Sequence, residues 1–193
     1  YWLHVGFLLT NGVKMSKSLG NSILAKDVLQ RHSGNAIRLF FQTTHYRAPV
    51  NYTEENLNSF DKLNNRYFSS LRKAFNVLSI KHIPEGNVLQ DKYEAFMDAL
   101  TDDLNVANAM TVFDSLIKEV NTLTMKKDAD LNRLSDLFAT LIKFASILGL
   151  SYEFSPLSEE DIALLDEYNK ARENKDFKKS DELRPALMEK GLL

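Results

Sequence analysis

"NYTEENLNSFDKLNNRYFSSLRKAFNVL", residues 51–78, is the longest clear helical pattern in the chain. Leu57, Phe60, Leu63, Tyr67, Leu71 and Phe75 recur at steps of three and four, which draws one apolar stripe along a 3.6-residue helix. Thr53 stands at the N-cap position. Glu54 and Glu55 follow it in the first turn, where negative charge meets the positive end of the helix dipole. Such a stripe needs partners, and three further helical patterns follow: KYEAFMDAL (92–100), NVANAMTVFDSLIKEVNTL (105–123) and LNRLSDLFATLIKFASILGL (131–150). Asp102, Asp103 and Asn105 lie between the first two as caps or solvated acids, and Gly149 closes the third. The reading is a mainly α fold with an antiparallel bundle of about four helices.

Working outward, residues 3–9 are apolar and short, and Asn11-Gly12 is the preferred dipeptide of a two-residue hairpin turn. AKDVLQRH (25–32) reads as a short helix. Ser33 caps a second one, GNAIRLFFQTTHY (34–46), with Ile37, Phe40 and Phe41 on one face, and Pro49 ends that unit. KHIPEGNV (81–88) is a loop marked by Pro84 and Gly86. After a linker at 151–157 comes a helical hairpin with a break near Asp176, opened by Ser158 and Asp161 as the acidic variant of a capping box. Four regions result: 1–25, 26–52, 53–150 and 151–193.

The 193 residues carry 44% hydrophobic and 26% charged side chains, an ordinary globular composition. The formal net charge of −2 gives a nucleic-acid partner no global support, so such a partner must rely on local basic patches. With no cysteine there is no disulfide and no thiolate metal site, and no metal-ligating set is expected. No apolar run approaches the ~20 residues of a membrane span, and no signal peptide is visible. A monomer acting in the cytoplasm is expected. The opening YWLHVGFLL has no methionine and reads as a strand of a larger protein, with His4 packed or hydrogen-bonded in that strand.

The loop NGVKMSKSLGN (11–21) concentrates Lys14, Lys17, Ser16 and Ser18 beside Gly20. Two mobile ammonium groups and two hydroxyls suit a phosphate whose charge develops during reaction. On composition alone a solvated turn is the favoured reading. The exact string KMSKS resembles the second signature loop of class I aminoacyl-tRNA synthetases. That resemblance implies ATP binding by Lys14, Met15, Ser16, Lys17 and Ser18, with Lys17 on the phosphates, Lys14 assisting, and the two serines shaping the loop. With no nucleotide fold to close against, the loop is expected to be poorly ordered.

The following run, IRLFFQTTHYRAPVNYTEENL (37–57), looks like a stretch of the cysteinyl-tRNA synthetases. His45-Tyr46-Arg47, Pro49, Asn51-Tyr52 and Glu54-Glu55-Asn56-Leu57 stand in place, while Ala48 and Val50 replace the usual serine and leucine. FMDALTDDLNVANAMTVFDSLIKEVN (96–121) and NKARENKDFKKSDELRPALMEKGL (169–192) are similar to later segments of that family. Pro185 departs from it, and proline inside a helix implies a later helix start or a kink.

The resemblance implies an ATP- and Mg²⁺-dependent activation of cysteine and its transfer to tRNA(Cys). It also implies a Zn²⁺ whose ligands lie upstream of this chain, and an anticodon-side helical region. The fragment alone is then inactive, the lysine loop being half of a site. His45 and Arg47 are candidates for tRNA contact, with a helix-end cluster holding Arg47 on a carbonyl or an acid as the plain structural alternative. Two other readings stay open: a relative that passes cysteine to an amino sugar of mycothiol, and a non-catalytic RNA-binding helical module.

Overall fold

The computed structural model describes residues 2–193. Its elements are β1 (Leu8–Thr10), β2 (Val13–Lys14), α1 (Ala25–Val28), α2 (Gly34–Gln42), β3 (Val50–Tyr52), α3 (Glu54–Ile80), α4 (Gln90–Thr101), α5 (Val106–Met125), α6 (Leu131–Ile147), α7 (Glu159–Glu173) and α8 (Phe177–Glu189). The fold is mainly α, as the sequence reading expects. The chain divides into two compact units. The first holds Tyr1–Tyr67, Gln90–Ser115 and Phe144–Ser151; the second holds Phe68–Leu89, Leu116–Lys143 and Tyr152–Leu193.

In the first unit, Asn11 and Gly12 both take positive φ (51° and 79°), so the β1–β2 connection is the tight hairpin the dipeptide predicts. The strand order is β2-β1-β3, with β3 parallel to β1 and Leu8, Leu9 and Thr10 opposite Val50, Asn51 and Tyr52. That parallel strand is missing from the sequence reading: three residues before a helix cap carry no alternation, and their partner lies some forty residues away. Expected apolar residues 3–7 lie outside β1, because only 8–10 find ladder partners.

Val28, Phe40, Tyr52 and Leu57 form one core cluster, with Leu8, Ile23, Ile37, Val50 and Phe60 packed around it. Burying each such side chain is worth about 1.5–3 kcal/mol. On α2 the buried set is Ala36, Leu39 and Phe40, while Phe41 is 46% exposed. The helix also stops at Gln42 instead of Tyr46, since Thr43 ends it and the chain turns toward β3. Phe96 of α4 stacks on Phe144 of α6 at 4.0 Å, and Tyr67 of α3 meets Phe113 of α5 edge-on at 5.0 Å. Tyr67 also donates to Asp114 at 2.8 Å, and burial with that neighbouring carboxylate raises its pKa far above the usual phenol value.

In the second unit Phe75 packs on Phe138 and stacks on Phe154, and Phe154 stacks on Phe68. Residues 84–89 run as an extended strap along α6. The Asn87 N–H donates to Asp136, the Leu89 N–H to Thr140, and the Ser135 hydroxyl to the Pro84 carbonyl. The α7–α8 hairpin closes over Leu165, Tyr168, Leu187 and Leu192, and Asn76 donates to the Leu192 carbonyl at 2.7 Å. The Ser158–Asp161 capping box is present, and Asp176 caps α8 by accepting from the Lys179 N–H. α8 begins at Phe177 and continues through Pro185, so the later start is not adopted. Pro185 and Asp181 are both exposed, so water can satisfy the carbonyl that the proline leaves without a donor.

Candidate functional site

Chain order forces the lysine loop out of β2. The Met15 N–H donates to the Leu8 carbonyl at 3.0 Å and ends the hairpin. Asn21 then closes the loop's base with both ends of its amide. Its Oδ1 accepts from the Ser16 N–H at 2.9 Å, and its Nδ2 donates to the Lys14 carbonyl at 3.1 Å. Inside the loop the Gly20 N–H reaches the Lys17 carbonyl at 3.1 Å, with Gly20 at φ 65°. The Leu19 N–H donates to Ser16 Oγ at 3.3 Å, and the Ser16 and Ser18 hydroxyls meet at 3.2 Å. Met15 is half-buried and Lys17 is exposed. The Lys14 ammonium lies 3.9 Å from the centroid of the Phe7 ring, a cation–π contact that holds it beside β1.

The hairpin tip is tied to β3 as well. The Gly12 N–H donates to the Asn51 side chain at 2.8 Å, and the Asn11 N–H to the Tyr52 carbonyl at 3.2 Å. On the far side of the strand, the Gly6 N–H donates to the Tyr46 carbonyl at 2.7 Å. The segment 6–10 therefore lies between the lysine hairpin and the His45–Tyr52 stretch, two motifs that the sequence separates by about thirty residues.

His45, Tyr46 and Arg47 converge on one acid, Asp103. The Tyr46 hydroxyl donates to Asp103 Oδ1 at 2.6 Å, Arg47 Nη1 lies 3.2 Å from Oδ2, and His45 Nε2 donates to the Asp103 carbonyl at 3.1 Å. The Tyr46 hydrogen bond, helped by the Arg47 charge, holds the Asp103 carboxyl below its usual range and pushes the phenol up. Asp103 sits at φ 53°, so the turn between α4 and α5 presents its side chain in a left-handed conformation. The aspartate run thus supplies a partner for Arg47, while Asp103 itself keeps 45% of its side chain exposed. Arg47 keeps 66% of its side chain exposed. With Tyr46 it borders a cavity of about 330 Å³ walled by Trp2, Leu3, His4 and Val5. His4 is exposed there, because the strand expected to pack it does not extend that far.

One constellation escaped sequence reasoning entirely. The buried His32 ring is hydrogen-bonded through Nδ1 to Asp61 Oδ2 and through Nε2 to Glu54 Oε1, the latter at 2.9 Å. Glu54 also takes Arg31 at 2.8 Å and the Tyr52 hydroxyl at 2.6 Å, and Asp61 accepts from the Ser33 N–H and hydroxyl. The Asp61 hydrogen bond, joined by Glu54, raises the His32 pKa against the opposing effect of burial. The Tyr52 and His32 hydrogen bonds lower that of Glu54. This group binds the α1–α2 junction to β3 and the first turns of α3. Its partners are 22 and 29 residues from His32, so no local pattern announces it. Among the described residues no group of three or more His, Cys, Asp or Glu side chains is arranged to hold a metal ion, and no helix is long and apolar enough to cross a membrane.

Two family models match. Residues 1–62 match the class I (C) tRNA synthetase catalytic domain, and residues 95–153 match the DALR domain. The chain is 32% identical over its whole length to a Cysteine--tRNA ligase of Geobacillus sp. (strain WCH70), covering 43% of that protein. It is 36% identical over its whole length to that of Ligilactobacillus salivarius, covering 43% of it, and 34% identical over 97% to that of Bacillus licheniformis, covering 42%. The chain thus spans well under half the length of these curated relatives. Among solved structures it is similar to LeuRS in a LeuRS-tRNA-LeuAMS ternary complex from Agrobacterium radiobacter K84. The TM-score is 0.61 at 16% identity, over 74% of this chain and 20% of that one, which speaks to the fold alone.

Proposed function

The chain belongs to the cysteinyl-tRNA synthetase family of class I synthetases, and on that premise we propose that it is the portion of a cysteine–tRNA ligase that carries the lysine loop and the tRNA-binding helices. In the whole enzyme the cysteine carboxylate attacks the α-phosphorus of ATP, the bond to pyrophosphate breaks, and cysteinyl-adenylate forms. A terminal ribose hydroxyl of tRNA(Cys) then attacks the adenylate carbonyl and releases AMP. Lys17 neutralises charge gathering on the departing pyrophosphate, with Lys14 beside it. Met15, Ser16 and Ser18 shape the loop around the nucleotide.

The observation that carries this reading is the exposed Lys17 on a turn whose base is closed by Asn21, within residues that match the catalytic-domain family model. The exposed Trp2, Leu3, Val5, Phe7 and Val13 support it too, as a face that a larger nucleotide-binding domain would cover. ATP enters as its Mg²⁺ complex. The described residues and the cysteine-free sequence do not fit a zinc site, so we assign the Zn²⁺ ligands of the whole enzyme to residues outside this chain. The region 53–150 we assign to the anticodon side, and we place the enzyme in the cytoplasm as a monomer, with this chain inactive by itself. His45 and Arg47 are proposed to touch the tRNA backbone from the Asp103 cluster.

The test is a pre-steady-state measurement on the whole enzyme carrying Lys17→Ala. Adenylate formation is expected to slow by roughly 10²–10³ while ATP affinity changes little. Unchanged adenylate formation would reject the assignment.

A further inference from the structure

We infer that the outward face of α3 from Asn58 to Arg66 is an RNA-backbone contact surface, with Lys62 and Arg66 as its phosphate-binding residues. The inference rests on the tRNA reading above and adds to it the residues that do the binding. Asn58, Ser59, Lys62, Asn65 and Arg66 are all exposed and repeat at helical spacing, opposite the buried Leu57, Asn64 and Tyr67. The face offers ammonium, guanidinium, amide and hydroxyl groups and no free carboxylate. The one acid within that stretch, Asp61, is turned away and occupied by His32 and Ser33.

Several other cations of the described residues are held close by acids. Lys170 sits on Asp166, Lys179 on Glu167, Lys190 on Asp161 and Arg133 on Glu119, at 2.5 to 2.8 Å. Arg66 has a looser ion pair, 3.6 Å from Asp114, with its guanidinium near the Tyr67 ring. Beside Lys62 and Arg66 opens a groove of about 440 Å³ lined by Ser59, Phe60, Lys62, Leu63 and Arg66. Phe60 and Leu63 give it apolar surface and Lys62 and Arg66 give it positive charge, a combination that fits the sugars and phosphates of an RNA backbone. The net charge of −2 demanded a local basic patch of any nucleic-acid partner, and this face supplies one. Asp114, the acid beside Arg66, is already engaged by the Tyr67 hydroxyl, so the face stays rich in donors and complements a polyanion better than an evenly mixed-charge protein surface.

The test titrates the 193-residue chain with an in-vitro transcript of tRNA(Cys) at several salt concentrations. Removing one phosphate-binding cation should flatten the slope of log Kd against log salt by about 1. Lys62→Ala with Arg66→Ala is expected to weaken binding roughly tenfold or more at low salt and flatten the slope by about 1–2. Lys62→Arg, which keeps the charge, should bind nearly as well as the unaltered chain, and the circular-dichroism melt of each variant should show the chain still folded. Equal affinity and slope in the double variant would overturn the inference while leaving the tRNA reading intact. Failure of the unaltered chain to bind at low salt would reject both.

Discussion

His32→Gln tests the group that fastens the connecting helices to α3. The His32 side chain is 2% exposed, while Glu54 keeps 45% and Asp61 25%. A buried charge that loses its partner costs about 3–5 kcal/mol when all members are dry, but both acids here reach solvent, which screens them. A loss of about 2–3 kcal/mol is therefore expected at pH 6, since hydrogen bonds to charged groups are worth about 1.5–3 kcal/mol. The pH dependence is the sharper readout. The folded pKa of His32 is raised above 6.5, so its contribution is full below that value and is lost as pH rises through the folded pKa. The folded pKa of Glu54 is lowered below 4.5, so its contribution is full above that value and is lost as pH falls through the folded pKa. Stability from this group should thus be greatest between about pH 4.5 and 6.5 and decline above it, by at most about 1.4 kcal/mol per pH unit for one proton. Urea denaturation followed by circular dichroism from pH 5 to 9 measures this. An alkaline decline equally steep in His32→Gln, or no decline in the unaltered chain, would refute the reasoning.

Gly6→Ala should lower the melting temperature by several degrees and loosen the N-terminal segment. An added Cβ would stand 2.1 Å from the Ala48 carbonyl oxygen, on backbone that cannot step aside; faster exchange of the Gly12 amide would report the loosening, and an unchanged melt would count against it. Asn21→Ala removes both bonds at the base of the lysine loop, so trypsin should cut after Lys14 and Lys17 severalfold faster with the global melt preserved. The cutting rate of the unaltered chain also measures how ordered the loop is; equal rates would mean that Asn21 does not hold it.

The periodic features were legible without coordinates because their causes are local. The stripe on α3, the Asn11-Gly12 turn and the capping box at Ser158 each depend on residues within a few positions of one another. Lys14 and Lys17 were legible for another reason: the loop string itself carried the family resemblance. The loop's clasp was only half legible. Gly20 and Asn21 were in the quoted string, yet that one amide grips both the Lys14 carbonyl and the Ser16 N–H follows from the turn's curvature.

The sequence by itself determined the helices and the hairpin, since propensity, spacing and turn type act over short separations, and the lysine-loop string carried the family resemblance. Tertiary structure alone decided that β3 pairs with β1, that Asp103 gathers His45, Tyr46 and Arg47, and that Asp61 and Glu54 enclose His32. It also decided that Asp61 leaves the outward face of α3 to cations. These partners lie between about 20 and 60 residues apart, and a charged side chain shows no preference for one distant partner until packing brings the two together and removes the water between them.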